Sequence, residues 1–249
     1  MNNIVDQQAQ GQPEASELGQ ASNYDPHYNP GRLFAISRAG KRSELGIEPN
    51  QLPFYGVDCW NHYEVSWLNE QGKPLVAVAE ILYDCATPYL VESKSLKLYF
   101  NSFNNTPFKS IDEVRQTVAR DLSACLKGDV FVNILPLRSR ELLPIQSSFI
   151  GESIDELDVA CTSYVVNPAY LTVGAARVDE ILCSDLLKSN CLVTHQPDWG
   201  SVQIAYKGPQ INREGLLKYL VSFRNHNEFH EQCIERIFVD ILNRCQPEE

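Results

Sequence analysis

Val91-Glu92-Ser93-Lys94-Ser95-Leu96-Lys97-Leu98-Tyr99-Phe100 is the stretch on which the fold of this chain turns. Together with Tyr89 and Leu90 before it, its mixture of apolar and aromatic residues predicts a strand over 89–100. Period-two alternation then places Glu92, Lys94 and Leu96 on one face and Ser93, Ser95 and Lys97 on the other. Both faces are partly polar, which suits an edge strand guarded by lysines better than a core strand.

Working outward, residues 53–67 and 75–82 also read as strands, being rich in β-branched and aromatic residues between turn formers. Downstream, Ser110 and Glu113 have the spacing of a capping box. Val114, Val118, Leu122 and Leu126 then recur at helical spacing, and a further strand is predicted over 129–137. After the polar stretch 138–156 the order repeats, with strands at 178–187, 191–194 and 201–206. A helix over 212–223 buries Leu216, Leu217, Leu220 and Phe223, and Asn227 can cap a second, with the stripe Phe229, Cys233, Ile237, Phe238 and Ile241. Strands followed by helices, used twice, predict an α+β fold of two related modules, 31–145 and 146–249. The first thirty residues, rich in Gln, Asn, Ser, Pro and Gly, predict a mobile extension.

Composition narrows the function. A chain of 249 residues with 43% hydrophobic content can bury a sizeable core. Its net charge of -11 argues against a surface that tracks nucleic-acid phosphates and favours a free small molecule. The eight cysteines include no Cys-x-x-Cys pair and there is no secretory signal, so they read as reduced thiols of a cytoplasmic protein. No apolar run approaches the roughly 20 residues that cross a bilayer.

Two further segments carry groups capable of chemistry. Cys191-Leu-Val-Thr-His-Gln-Pro-Asp198 places a thiol, an imidazole and a carboxylate within eight residues, bounded by turn formers. A thiol becomes a strong nucleophile at neutral pH with modest help, although most free cysteines are small buried hydrophobes. Asn225-His-Asn-Glu-Phe-His-Glu231 brings His230 and Glu231 into the first turn of the last helix, where a carboxylate can recognise a ligand. The plainer reading is that Glu228 and Glu231 complement the helix dipole. Cys191, His195, His226 and His230 have only part of a zinc-site spacing, and no metal is predicted.

Three blocks in order resemble one family. Glu92 to Phe103 (Glu-Ser-Lys-Ser-Leu-Lys-Leu-Tyr-Phe-Asn-Ser-Phe), Cys191 to Gly200, and Phe223 to Cys233 are similar to the signature, catalytic and substrate-recognition segments of the NADPH-dependent nitrile reductases that make 7-aminomethyl-7-deazaguanine for tRNA queuosine biosynthesis. The resemblance implies tandem tunnelling-fold modules, antiparallel sheets backed by helices, assembling as a homodimer without membrane or direct nucleic-acid contact. It implies Cys191 as the nucleophile that forms a thioimide and Asp198 as general acid. Val91, Glu92, Ser93, His230 and Glu231 are implied to contact 7-cyano-7-deazaguanine, and Ser93 and Lys94 to contact NADPH. There is no Gly-x-Gly-x-x-Gly, so NADPH rests on the resemblance alone.

The chain departs from the long two-module form of that family at its end, Pro247-Glu248-Glu249. An expected C-terminal segment, with an arginine before paired glycines and an Asn-Pro, is not found, which predicts an incomplete second module and weaker hold on NADPH. Two alternatives follow: a tunnelling-fold hydrolase or lyase acting on a purine or pterin, and a non-catalytic base-binding protein.

Overall fold

The computed structural model describes residues 24–48, 51–139 and 148–249. The chain divides into two compact units, Met1–Pro144 and Ile145–Glu249. Most of the predicted N-terminal extension lies outside the described residues. The part inside them departs from expectation. Tyr28 packs edge-on against Phe103 at 5.2 Å and donates its backbone N–H to Thr106 Oγ1 at 2.7 Å. An aromatic side chain with a core to enter ties down a segment whose composition reads as mobile.

In the first unit, β1 (Ala35–Ser37) is followed by the short α1 (Ala39–Glu44), β2 (Val57–Leu68), β3 (Pro74–Asp84) and β4 (Tyr89–Val91). Then come α2 (Ser93–Asn101), α3 (Ile111–Leu126) and β5 (Val130–Pro136). β2, β3 and β5 form an antiparallel three-stranded sheet, and β1 pairs with β4. One face of the larger sheet, with Trp67, Ile81 and Tyr83, packs on Leu96, Tyr99, Phe100, Phe103, Val118 and Leu122 of the helical layer.

The predicted strand over 89–100 is corrected here: it ends at Val91, and Ser93–Asn101 is helical. Glu92 supplies the reason. Its carboxylate accepts the Lys94 N–H at 2.8 Å and the Ser95 N–H at 2.7 Å, satisfying donors that open the helix. Leu96, Tyr99, Phe100 and Phe103 then fall on one buried face at helical spacing. Ser110 caps α3 through the Glu113 N–H at 3.1 Å, while the Glu113 carboxylate reaches Lys109 N and not Ser110 N.

The second unit follows the same plan. β6 (Glu152–Ser153) lies parallel to β7 (Val173–Asn190), which pairs antiparallel with β8 (Pro197–Ile211), and α4 (Arg213–Val221) and α5 (His230–Cys245) cover the sheet. Leu182, Val202, Leu216, Leu220, Phe223, Cys233, Ile237 and Ile241 make its core. Phe238, predicted in that stripe, is exposed. Pro247 to Glu249 runs beside β8, where Glu248 N donates to Lys207 O at 2.7 Å and Lys207 N to Glu249 O at 2.9 Å.

The two units share specific hydrogen bonds as well as a long hairpin followed by two helices. Asn29 and Asn167 each cap a 3-10 turn that begins with proline, and each donates its N–H to a serine hydroxyl, Ser102 at 3.0 Å and Ser222 at 3.2 Å. Those hydroxyls donate to Tyr99 O and Tyr219 O, both at 2.6 Å. The tyrosine hydroxyls in turn donate to Asp121 of α3 at 2.7 Å and Asp240 of α5 at 2.6 Å. Each unit is thus built on an antiparallel hairpin sheet backed by helices, as expected of tandem tunnelling-fold modules, with β6 added in parallel in the second.

Candidate active site

The second unit gathers Cys191, Asp198, His230 and Glu231 at one end of its sheet. The β7–β8 ladder pairs Ser189 with Asp198 and closes with Asn190 opposite Pro197, so Cys191 begins the connection and Asp198 lies one pair inside it. Residues 191–194, predicted as a strand, form a turn. Cys191 N–H donates to Gln196 O at 2.8 Å, His195 N–H donates to Cys191 O at 3.0 Å, and His195 takes a left-handed backbone with φ 56°. A hairpin connection needs such a residue, and local apolar character cannot announce it.

Cys191 is 9% exposed. Another thiol, Cys233 on α5, is pushed up to about 12 by burial and by the Glu228 charge, although Ser189 hydrogen-bonds to it. A thiol so shifted is inert at neutral pH.

Asn227 does not cap the last helix as predicted. Phe229 stands at that position, with its N–H donated to Gln232 Oε1 at 3.3 Å, and Asn227 instead forms a bridge with Asn190. His230 and Glu231 remain the first residues of α5. His230 Nε2 comes to 4.0 Å from Asp198 Oδ1. A Cβ added at Gly200 would lie 4.0 Å from His230 Nδ1, so the missing side chain there keeps room beside the imidazole.

Glu228 is corrected as well. It lies before the first turn of the helix and is 1% exposed, with its carboxylate turned to an ion pair. Its carboxylate takes Arg236 Nε at 3.0 Å and Arg236 Nη2 at 2.6 Å, with His226 Nε2 2.8 Å from Oε2 in a bent contact. Burial pushes this acid up, but His226 and Arg236 outweigh burial and hold it near 2. Sequence reasoning missed its partner, and also missed Lys188, whose Nζ donates to Asn190 Oδ1 and Arg224 O, both at 2.6 Å. The only sequence signal was an acid eight residues before an arginine, which no periodicity picks out.

Val91, Glu92, Ser93 and Lys94 are gathered in the first unit, where β4 passes into α2. Val91 and Glu92 are each 1% exposed, Ser93 is exposed and Lys94 half-buried. Glu92 N–H donates to Phe34 O at 2.9 Å, and Ser93 Oγ donates to Glu92 Oε1 at 3.4 Å. Glu92 Oε1 thus takes the Lys94 N–H and the Ser93 hydroxyl, while Oε2 takes one helix N–H and retains a lone pair for a further donor. Among the described residues no group of three or more His, Cys, Asp or Glu is placed to hold a metal ion, and no helix is long and apolar enough to cross a membrane.

Comparison with known proteins follows the same division. Residues 24–134 match the family described as nitrile reductase, 7-cyano-7-deazaguanine-reductase N-term, and residues 197–249 match that described as QueF-like protein. The NADPH-dependent 7-cyano-7-deazaguanine reductase of Legionella pneumophila (strain Lens) is 62% identical over 233 residues, 94% of this chain and 82% of its relative. That of Legionella pneumophila (strain Corby) is 58% identical over 248 residues, covering 100% and 87%. The Acidovorax ebreus enzyme of the same name is 54% identical over 243 residues, covering 94% and 86%.

Proposed function

The chain belongs to the QueF family of 7-cyano-7-deazaguanine reductases, and on that premise we propose how its own residues carry the family's reaction. The activity is NADPH-dependent reduction of the nitrile of 7-cyano-7-deazaguanine to an aminomethyl group. The nitrile carbon is electrophilic but resists direct hydride attack. Cys191 adds to it through sulfur, the C≡N bond becomes C=N, and the product is a thioimide held on the protein. Asp198, one pair from the hairpin end, takes the thiol proton and delivers it to the nitrile nitrogen as charge develops there.

Reduction of a nitrile to a primary amine requires two hydrides, and NADPH when bound supplies them. The residues assigned to it suit the group. Ser93 and Lys94 offer a hydroxyl and an ammonium at the positive end of α2, both apt for phosphate or ribose oxygens. The backbone N–H groups of Lys94 and Ser95 are already bonded to Glu92, so these side chains do the binding.

Glu231 and Glu92 are assigned to the ring N–H donors of the base, since carboxylates accept and guanine-like edges donate. Val91 and Ser93 flank Glu92, and His230 lies beside the ring, next to the proton donor. Partial burial of Cys191 shields the adduct from water, which would otherwise hydrolyse an imine to an aldehyde. A homodimer belongs to the same reading. Exposed Val57, Val76 and Phe131 on the outer face of the β2–β3–β5 sheet support it by offering apolar surface to a partner.

The observation that carries this reading is the placement of Cys191, Asp198 and the start of α5 around one hairpin end. Intact-protein mass after incubation with 7-cyano-7-deazaguanine and no NADPH tests it. One substrate mass should be added at Cys191 and be lost in Cys191→Ala. An adduct that survives that substitution, or that maps to Cys183 or Cys233, would remove Cys191 from its role.

A further inference from the structure

The residue before the nucleophile is held from behind. Asn190 N–H donates to His226 O at 2.8 Å, and Glu228 N–H donates to Asn190 O at 3.2 Å. The strap 226–229 that makes these bonds runs directly into His230 and Glu231. Glu228 anchors it to the body of α5 through the bidentate pair with Arg236.

The first unit provides an internal control. Leu68 at the end of β2 has the place of Asn190: its N–H donates to Thr106 O at 3.0 Å, and it accepts Phe108 N–H at 2.9 Å. Phe108 therefore stands where the second unit has Glu228, stacked on Phe103 at 5.2 Å. The tyrosine–aspartate bonds to Asp121 and Asp240 set the register of α3 against α5, which puts Thr117 where Arg236 stands. The same strap is thus fixed in one unit by an aromatic stack and in the other by an ion pair whose carboxylate is buried and whose arginine is half-buried. The strap held by the stack serves a connection, 69–73, that carries no cysteine.

Buried ion pairs seldom improve stability over apolar residues of similar size, because two desolvation costs offset the attraction. The fold manages without one at Phe108. What a bidentate arginine–carboxylate pair adds is a fixed direction and distance, where stacked rings tolerate sliding.

We propose that Glu228, paired with Arg236, is a positioning residue for the reaction at Cys191, fixing the strap that sets Asn190 and hence the approach of the thiol. The proposal rests on the reading of Cys191 as nucleophile. A displacement of about 1 Å in the reacting groups costs about 100-fold in rate, so a strap free to slide disables addition without unfolding the protein.

The test uses the full chain with two changes: Glu228→Phe together with Arg236→Thr, copying the first unit, and Glu228→Gln alone. Four quantities are measured: thermal unfolding, affinity for 7-cyano-7-deazaguanine in a Cys191→Ala background, the rate of adduct formation at Cys191, and the rate of Cys191 alkylation by iodoacetamide. Both variants should fold, with adduct formation slowed about 10- to 100-fold and base affinity changed far less. The alkylation rate should shift as well. A purely structural role would change unfolding and leave the ratio of adduct rate to affinity intact. Adduct formation within about two-fold of the parent in either folded variant overturns the proposal. Failure of the Phe/Thr variant to fold overturns it too, since the fold would then need the pair. If the parent itself forms no adduct, the reading of Cys191 fails, while an altered alkylation rate still reports that the strap positions the thiol.

Discussion

His230 Nε2 stands 4.0 Å from Asp198 Oδ1, close enough to share a bound molecule and too far for a hydrogen bond. The imidazole is 59% exposed and the carboxylate 33%, so the contact adds little to stability. Neither group is consumed by the other. Both remain available to a ligand at the hairpin end.

Asp198→Asn should therefore leave the fold and base affinity nearly unchanged and slow thioimide formation by about 100- to 10,000-fold, the range for loss of a positioned proton donor. Calorimetry gives the affinity and intact mass against time gives the rate. A wild-type adduct rate in this variant would assign proton delivery elsewhere.

The two recognition carboxylates should separate in their effect on folding. Glu231→Gln should weaken base binding by about 1.5 to 3 kcal/mol with little change in thermal stability, as for one lost charge-assisted hydrogen bond. Glu92→Gln should weaken binding and also destabilise by about 0.5 to 2 kcal/mol, because that carboxylate caps α2 through Lys94 N and Ser95 N. Parallel calorimetry and denaturant titration check both; equal stability losses in the two variants would contradict the capping role.

Acid should act through Glu228. Its ionisable neighbours are Arg236, His226 and Asp240, and its folded value near 2 lies below an ordinary 4.5. A depressed carboxylate contributes stability that is complete above its unfolded value and disappears as pH falls through the folded one. The stability difference between parent and Glu228→Gln should be largest above about pH 4.5 and shrink toward pH 2. Denaturant titrations at several pH values measure it, and a difference that grows on acidification would reverse the assignment.

Gly215→Ala should destabilise the second unit by about 1 to 3 kcal/mol, the usual cost of overpacking. A Cβ there would sit 2.3 Å from Tyr170 O, a backbone atom that cannot move aside cheaply. Gly46→Ala is a useful contrast, since it meets no atom within 4 Å and faces only the strain of φ 71°. A fully stable Gly215→Ala variant would show that the 3-10 turn at Pro168–Tyr170 yields.

Much of this protein was legible from its residues alone. Runs rich in β-branched and aromatic residues located most of the hairpin strands, Ser110 announced the helix it caps, helical spacing of Leu216, Leu217 and Leu220 announced α4, and the short spacing from Cys191 to Asp198 marked the segment proposed to carry the chemistry. Those features are local, and local periodicity and capping determine them. The stretch 89–100 was not decidable that way, because Leu96, Leu98 and Phe100 satisfy a period of two while Leu96, Tyr99, Phe100 and Phe103 satisfy a helix. The Glu92 cap, the Phe34 backbone and the Tyr99–Asp121 bond chose the helix. Glu228 shows the same limit: its sequence position suggested a dipole charge, and only the folded strap brought it against Arg236. Tertiary structure decided these cases because the free energy that settles them comes from burial and from partners distant along the chain.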